Sequence, residues 1–146
     1  MRLTANRIAG IIREHGHKLT PQRHIILKVI AASHDHLTPE VIYEKSRLED
    51  PGIGRVTVYR TLDLLSELNL VCRVHAEGRC RSYMMRRPTE HHHHLICSGC
   101  SKVLDFTNCS LSKMEKNLSQ ESGFDIKGHL LEFYGLCRDC ILDAPV

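Results

Sequence analysis

Cys97-Ser98-Gly99-Cys100 and Cys137-Arg138-Asp139-Cys140 are two Cys-x-x-Cys pairs with 36 residues between them. Four thiolates at this spacing can close a tetrahedral shell around zinc and leave no coordination position open, so the metal they imply is structural. Disulfides are the competing use of four cysteines, and they require an oxidising compartment. Residues 1–16 carry Arg2, Arg7, Arg13 and Glu14 among isolated apolar residues, which leaves neither the unbroken apolar run of a secretory signal nor one able to span a bilayer. The chain therefore reads as cytoplasmic with no membrane partner, and its paired cysteines as zinc ligands. A redox Cys-x-x-Cys is expected singly at a strand-to-helix turn, and that context is missing.

At 146 residues the chain has room for one ordinary domain or two small ones. Small domains bury too little apolar surface to be stable unaided, a need that a zinc staple meets. Charge is unevenly spread: residues 1–86 hold 14 Lys/Arg against 9 Asp/Glu, a net of +5, and residues 87–146 hold 6 against 8, a net of −2. The basic half is the one suited to nucleic acid, although an excess this modest also describes an ordinary solvated surface.

In that half the apolar residues recur at helical spacing. Thr20-Pro21 and Thr38-Pro39 each set a hydroxyl N-cap before a proline at the first helical position, where its missing N–H costs nothing. One helix runs into Ile25, Ile26, Val29 and Ile30, the other into Val41 and Ile42, and an earlier one built on Ile8, Ile11 and Ile12 stops at Gly16. After a turn at Asp50-Pro51-Gly52, a third capped segment, Val56 to Leu65, lines up Val58, Leu62, Leu65 and Leu68 as a core stripe and leaves Thr57, Tyr59 and Arg60 on another face. Those hydroxyls and that guanidinium suit phosphates and base edges in a major groove. Asn69 ends the helix. Leu70 to Val74 and Arg81 to Met85 then flank a Glu77-Gly78 turn as a hairpin, and helices followed by a groove-reading helix and a wing describe a winged helix-turn-helix.

Arg86-Arg87-Pro88-Thr89-Glu90 has a central proline and no apolar side chain, and reads as a linker. The fold class is thus α+β, with a winged-helix DNA-binding domain over 1–86 and a small α/β dimerisation domain over 87–146. In the latter, Leu95-Ile96-Cys97 and Val103 to Phe106 read as strands around the first Cys-x-x-Cys knuckle. Ser112-Lys113-Met114-Glu115 is a capping-box pattern opening a helix with Leu118, and Phe124 to Tyr134 reads as a last strand before Cys137.

Ahead of the first knuckle lies His91-His92-His93-His94. A strand alternates its side chains, so His91 and His93 face one way and His92 and His94 the other, and the run can serve two sites. Affinity tags sit at termini and this run is internal; solvated strand histidines are the plainer reading. With Glu90, Asp105 and the thiols, however, these imidazoles make a mixed N/O/S set of the kind borderline divalent metals favour.

Taken together, Leu19-Thr20-Pro21-Gln22-Arg23, His36-Leu37-Thr38-Pro39-Glu40, Thr57-Val58-Tyr59-Arg60-Thr61-Leu62, His91 to Cys97 with Cys100, Asp105-Phe106 and Gly135 to Cys140 resemble the ferric uptake regulator (Fur) family of bacterial metal-responsive repressors over nearly the whole chain. The resemblance implies a homodimer that binds a palindromic operator when loaded with a regulatory divalent metal, iron or zinc, and releases it when that metal is scarce. It implies structural zinc on Cys97, Cys100, Cys137 and Cys140. It implies a regulatory site on His36, His92, His94 and Asp105. A further ligand is expected near Met84 to Arg86, where no hard donor stands, and Cys72 is a softer alternative that competes with a plain apolar role in the wing. A secondary site would take His91, His93 and His129, but the family's glutamate falls at Ser112, so this site is expected to be weak or empty. Cys80 and Cys109 are read as buried or idle thiols. By the same resemblance Lys18 lies near the duplex backbone or minor groove, and Arg23, Thr57, Tyr59 and Arg60 near the recognition surface.

Metal sensing follows if the ligands come from both domains, because metal then selects one domain arrangement and metal and DNA affinities become reciprocally coupled. Rival functions are a zinc-stabilised DNA-binding protein without sensing and a peroxide sensor that oxidises a histidine ligand of bound iron. An enzyme would need an open metal, a general base such as Glu90 and a concave pocket. It would leave the recognition helix unexplained, so neither catalysis nor a small-molecule substrate is expected.

Overall fold

A computed structural model describes residues 4–76, 79–86 and 91–143 and divides the chain into two compact units, Met1–Thr89 and Glu90–Val146. The Glu77-Gly78 turn and residues 87–90 of the expected linker lie outside the described residues.

The first unit contains α1 (Ala5–Glu14), α2 (Pro21–Ala32), α3 (Pro39–Glu49), α4 (Arg55–Glu67), β1 (Val71–Ala76) and β2 (Arg79–Met85). Threonine hydroxyls start the first three helices: Thr4 accepts from the Arg7 N–H, Thr20 from Arg23 and Thr38 from Val41 at 3.3–3.4 Å. Pro21 and Pro39 stand where a proline N–H is not missed. α4 differs from the expected side-chain capping. Its cap is Gly54, which offers no side chain, and the preceding turn is held instead by Asp50, whose Oδ1 accepts from the Gly52 N–H at 2.8 Å. Past the ends of α1 and α4 the chain turns off at Gly16 and Asn69, both with positive φ, and Asn tolerates the left-handed region better than other side chains.

Apolar residues at helical spacing then meet. Ile8 and Ile12, Ile26, Leu27 and Ile30, Ile42, and Val58, Leu62 and Leu65 have no exposed surface, and they form one cluster closed by Leu70, Val71, Tyr83 and Met85 of the wing. Strands β1 and β2 pair antiparallel from Val71↔Met85, with a bulge at Val74/His75. Leu37 adds a third rung to this hairpin by exchanging both backbone hydrogen bonds with Tyr83 at 2.8 Å, which fastens the segment carrying His36 to the wing.

The second unit contains β3 (His93–Cys97), β4 (Val103–Phe106), α5 (Ser112–Ser122), β5 (Glu132–Gly135) and α6 (Arg138–Leu142), with sheet order β4-β3-β5. β4 runs antiparallel and β5 parallel to the central β3. Two local expectations are corrected. The last strand covers only Glu132–Gly135, because β3 supplies register partners only from His94↔Glu132 to Cys97↔Gly135 and the chain before Glu132 has no ladder to join. The capping box does not form: Ser112 is already helical, Leu111 holds the cap position, and its carbonyl accepts from Glu115 N–H at 2.9 Å. α6 has no counterpart in the sequence reading.

Register assigns the sheet's two faces. His94 shares one with Asp105 and Glu132, while Leu95, Leu104 and Phe133 share the other and are 43%, 52% and 50% exposed. Neither α5 nor α6 buries a residue fully. Leu62→Ala is expected to destabilise the first unit by about 2–5 kcal/mol through a core cavity, and Tyr59→Ala, on the exposed side of α4, by under about 1 kcal/mol. Denaturant unfolding followed by circular dichroism checks both.

Candidate metal centres and nucleic-acid face

The Sγ atoms of Cys97, Cys100, Cys137 and Cys140 all lie within 4.8 Å of one another, with Cys100 and Cys137 at 3.7 Å. A zinc–sulfur bond of about 2.3 Å makes the tetrahedral sulfur–sulfur edge about 3.8 Å, so the set has the dimensions of a zinc cage. The first knuckle turns tightly because Ser101 takes a positive φ and its N–H reaches the Cys97 carbonyl at 2.9 Å. Gly99 is required by space: a Cβ there would stand 2.9 Å from Cys140 Sγ. The backbone N–H groups of Cys100 and then Cys137 hold the Cys97 thiol down at about 6, whereas the neighbouring sulfurs, Cys137 first, push Cys140 up to about 12. Four thiols this close cannot all ionise by themselves, and a divalent cation removes that conflict.

A second cluster joins His91, His93, Cys109 and His129, again within 4.8 Å of one another. His129 Nε2 is 3.1 Å from His91 Nε2, 3.3 Å from His93 Nε2 and 3.3 Å from Cys109 Sγ. His129 Nδ1 meets Glu115 Oε1 at 2.7 Å. His93 is buried, and burial first, then the charges of His91, His129 and His92, lowers its pKa, which keeps the ring neutral and ready to ligate. Cys109 was expected to be idle; the β4–α5 connection instead carries it onto His129. Ser112 is exposed on α5, and the nearest carboxylate enters one turn later from Glu115.

A third group lies on the opposite face of β3. His94 stands between its two register partners, with Nε2 3.8 Å from Asp105 Oδ1 and Nδ1 3.7 Å from Glu132 Oε1. The His92 and His94 rings lie 5.3 Å apart, while His91 and His93 pair at 4.4 Å on the other side, as strand alternation requires. Glu132 was missed in the sequence: a lone acidic residue in an apolar strand signals nothing until its partner strand is known. Its Oε1 is buried with no hydrogen bond among the described residues. The remaining expected ligands lie in the first unit, His36 in the α2–α3 connection and half-buried Cys72 on β1 opposite Met84. Met84 and Met85 are buried and hydrophobic, so the wing supplies no hard donor there.

On α4, Tyr59 and Arg60 are exposed and Thr57 is half-buried. Lys18 is exposed, and its carbonyl accepts from the Arg23 guanidinium at 2.8 Å, so Arg23 also braces the α1–α2 turn. Two further cations meet at Tyr43 of α3: Arg55, the first residue of α4, stacks 4.5 Å over its ring, and Arg47 lies 5.4 Å from it. Among the described residues no helix is long and apolar enough to cross a membrane.

Residues 14–134 match the model of the ferric uptake regulator family. The ferric uptake regulation protein of Campylobacter jejuni is 36% identical over 136 residues, 92% of this chain and 86% of that protein. The Helicobacter pylori ferric uptake regulator, whose structure revealed three functional metal binding sites, superposes with a TM-score of 0.81 at 25% identity, covering 96% of this chain and 95% of that one. A zinc uptake regulator complexed with zinc and DNA superposes with a TM-score of 0.64 at 25% identity, over 94% and 93%.

Cys137→Ser is expected to remove one chelation-resistant zinc per chain, measured by elemental mass spectrometry, and to expose the remaining cage thiols to a thiol reagent without denaturant.

Proposed function

The chain belongs to the ferric uptake regulator family of metal-dependent transcriptional regulators, and from that premise we propose that it represses transcription by binding a palindromic operator as a homodimer when a regulatory cation is bound. The observation that carries the reading is His94 between two carboxylates, Asp105 and Glu132, on one face of β3. A buried imidazole between half-buried Glu132 and exposed Asp105, with a Glu132 Oε1 that has no hydrogen bond among the described residues, suits a divalent cation. His36, His92, His94 and Asp105 would hold the ion. Glu132 would orient His94 or join as a ligand, making up for the missing hard donor at Met84 to Arg86. This nitrogen and oxygen set favours ferrous iron over a thiolate-assisted zinc site, which would recruit Cys72. The bound cation supplies a charge that fixes its ligands in one arrangement, and His36 belongs to a different unit from the other three. Metal therefore biases the DNA-binding unit toward one orientation, and operator affinity rises with metal occupancy.

DNA would meet Tyr59 and Arg60 of α4, with Thr57, Lys18 and Arg23 beside them. Their exposure and the net positive charge of the first unit support this assignment. A second copy of the chain would cover Leu95, Leu104 and Phe133, whose exposure is too large for a solvated sheet face. We further read the protein as cytoplasmic and without enzymatic activity, in keeping with a regulator that acts by binding DNA.

Operator binding is expected to require ferrous iron in anaerobic gel-shift titrations. His94→Ala and Asp105→Ala should abolish the metal dependence while leaving the resistant zinc in place, and Cys72→Ser should leave it unchanged. Exchangeable zinc that is lost with Cys72 would favour zinc sensing. DNA binding indifferent to added metal would exclude sensing, and oxygen added to a His36 or His92 peptide after peroxide would mark a peroxide sensor. Arg60→Ala is expected to weaken operator binding by about 1–3 kcal/mol.

A further inference from the structure

The geometry points to a second soft-metal centre in this chain: we propose that Cys109 is a thiolate ligand that, with His91, His93 and His129, makes a four-coordinate site of three nitrogens and one sulfur for zinc or a cation of similar softness. The inference goes beyond the regulatory reading and does not rest on it, because every residue involved belongs to the second unit.

Hydrogen positions carry the first step. A carboxylate only accepts, so the 2.7 Å contact with Glu115 Oε1 puts the His129 proton on Nδ1 and leaves the lone pair of the neutral ring on Nε2. That lone pair faces two more imidazole Nε2 atoms and a sulfur at 3.1–3.3 Å. Four donor atoms converge on one point, where protons on all of them would collide. His93, one of the four, is only 2% exposed and has little access to water.

Size carries the second step. Metal–nitrogen bonds of about 2.0–2.1 Å and a metal–sulfur bond of about 2.3 Å give tetrahedral edges of about 3.3–3.6 Å. The observed 3.1–3.3 Å separations need only a few tenths of an ångström of expansion. Glu115 then has the place of the outer carboxylate that fixes a ligating histidine's tautomer and raises its basicity.

Softness carries the third. Three imidazoles and a carboxylate leave iron, manganese and zinc in competition, whereas exchange of the carboxylate for a thiolate shifts preference toward zinc and cobalt. The serine at position 112, which argues for a weak site when the sequence is read alone, is compensated from position 109 in the β4–α5 connection.

Cobalt tests this on the full-length chain, with the four-cysteine cage already filled by zinc. Added cobalt(II) is expected to give tetrahedral d–d bands and a near-ultraviolet sulfur-to-cobalt charge-transfer band whose intensity corresponds to one thiolate. That band should persist in Cys72→Ser and vanish in Cys109→Ser, with affinity for the ion falling at least tenfold. Cys109→Asp should still bind cobalt without the band, which keeps the test decisive if the serine variant folds poorly; zinc content and circular dichroism report folding. A charge-transfer band that survives Cys109→Ser or Cys109→Asp, one that disappears in Cys72→Ser, or cobalt spectra showing only weak six-coordinate bands would overturn the assignment. Failure of metal-dependent DNA binding would leave these spectra unaffected, so the two readings fail separately.

Discussion

Four sulfur atoms lie within 4.8 Å of one another in a unit that buries little hydrocarbon, so a metal held by them would be the constraint on which its stability depends. Among the described residues of its sheet only Ile96, Cys97, His93 and His94 are buried, and neither of its helices buries a side chain fully. A metal on these four thiols would tie the end of β3 to the segment between β5 and α6, and so support the parallel pairing of two short strands that have no large apolar core behind them. A cross-link of this kind substitutes metal–ligand energy for buried area. What the cage leaves open is equally consequential. Leu95, Leu104 and Phe133 need not turn inward to stabilise the unit, and remain available to another surface.

The first unit is built on the opposite plan. Fully buried aliphatic side chains from four helices meet in one cluster, and the wing closes it. Such a unit keeps its shape whatever its metal occupancy, as a reader of DNA must, while the second unit concentrates histidines, carboxylates and thiols. Apolar packing and metal-ligand chemistry are thus kept apart along the chain, and within the first unit the segment carrying His36 is pinned to the wing by the Leu37–Tyr83 rungs.

Local signals in the sequence proved legible because their physics is local. Threonine caps before proline, Gly16 and Asn69 at helix ends, and the stripe of Val58, Leu62 and Leu65 need only neighbours within a turn or two. The convergence of the four cysteines was legible from their paired Cys-x-x-Cys spacing. The rest depended on partners distant in the chain. β5 is short because β3 is short, the Leu37–Tyr83 bridge spans 46 positions, and Glu132 acquires meaning only opposite His94. Cys109 belongs to the same class. Nothing around it suggests a ligand, and only the fold brings it to His129, 20 residues away.

The histidine run also behaves as a ruler. Because β3 sends alternate side chains to opposite faces, His91 and His93 look toward Cys109 and His129 while His92 and His94 look toward Asp105 and Glu132. The two clusters are therefore encoded by parity rather than by composition. Because parity counts back from Leu95, loss of a single histidine from this homopolymeric stretch would leave imidazoles at the positions of His92, His93 and His94 and replace only the outermost one, at His91. The cluster with Cys109 and His129 would lose one donor while His92 and His94 kept theirs, so a reading-frame-preserving slip of one codon in the run strikes one centre and spares the other.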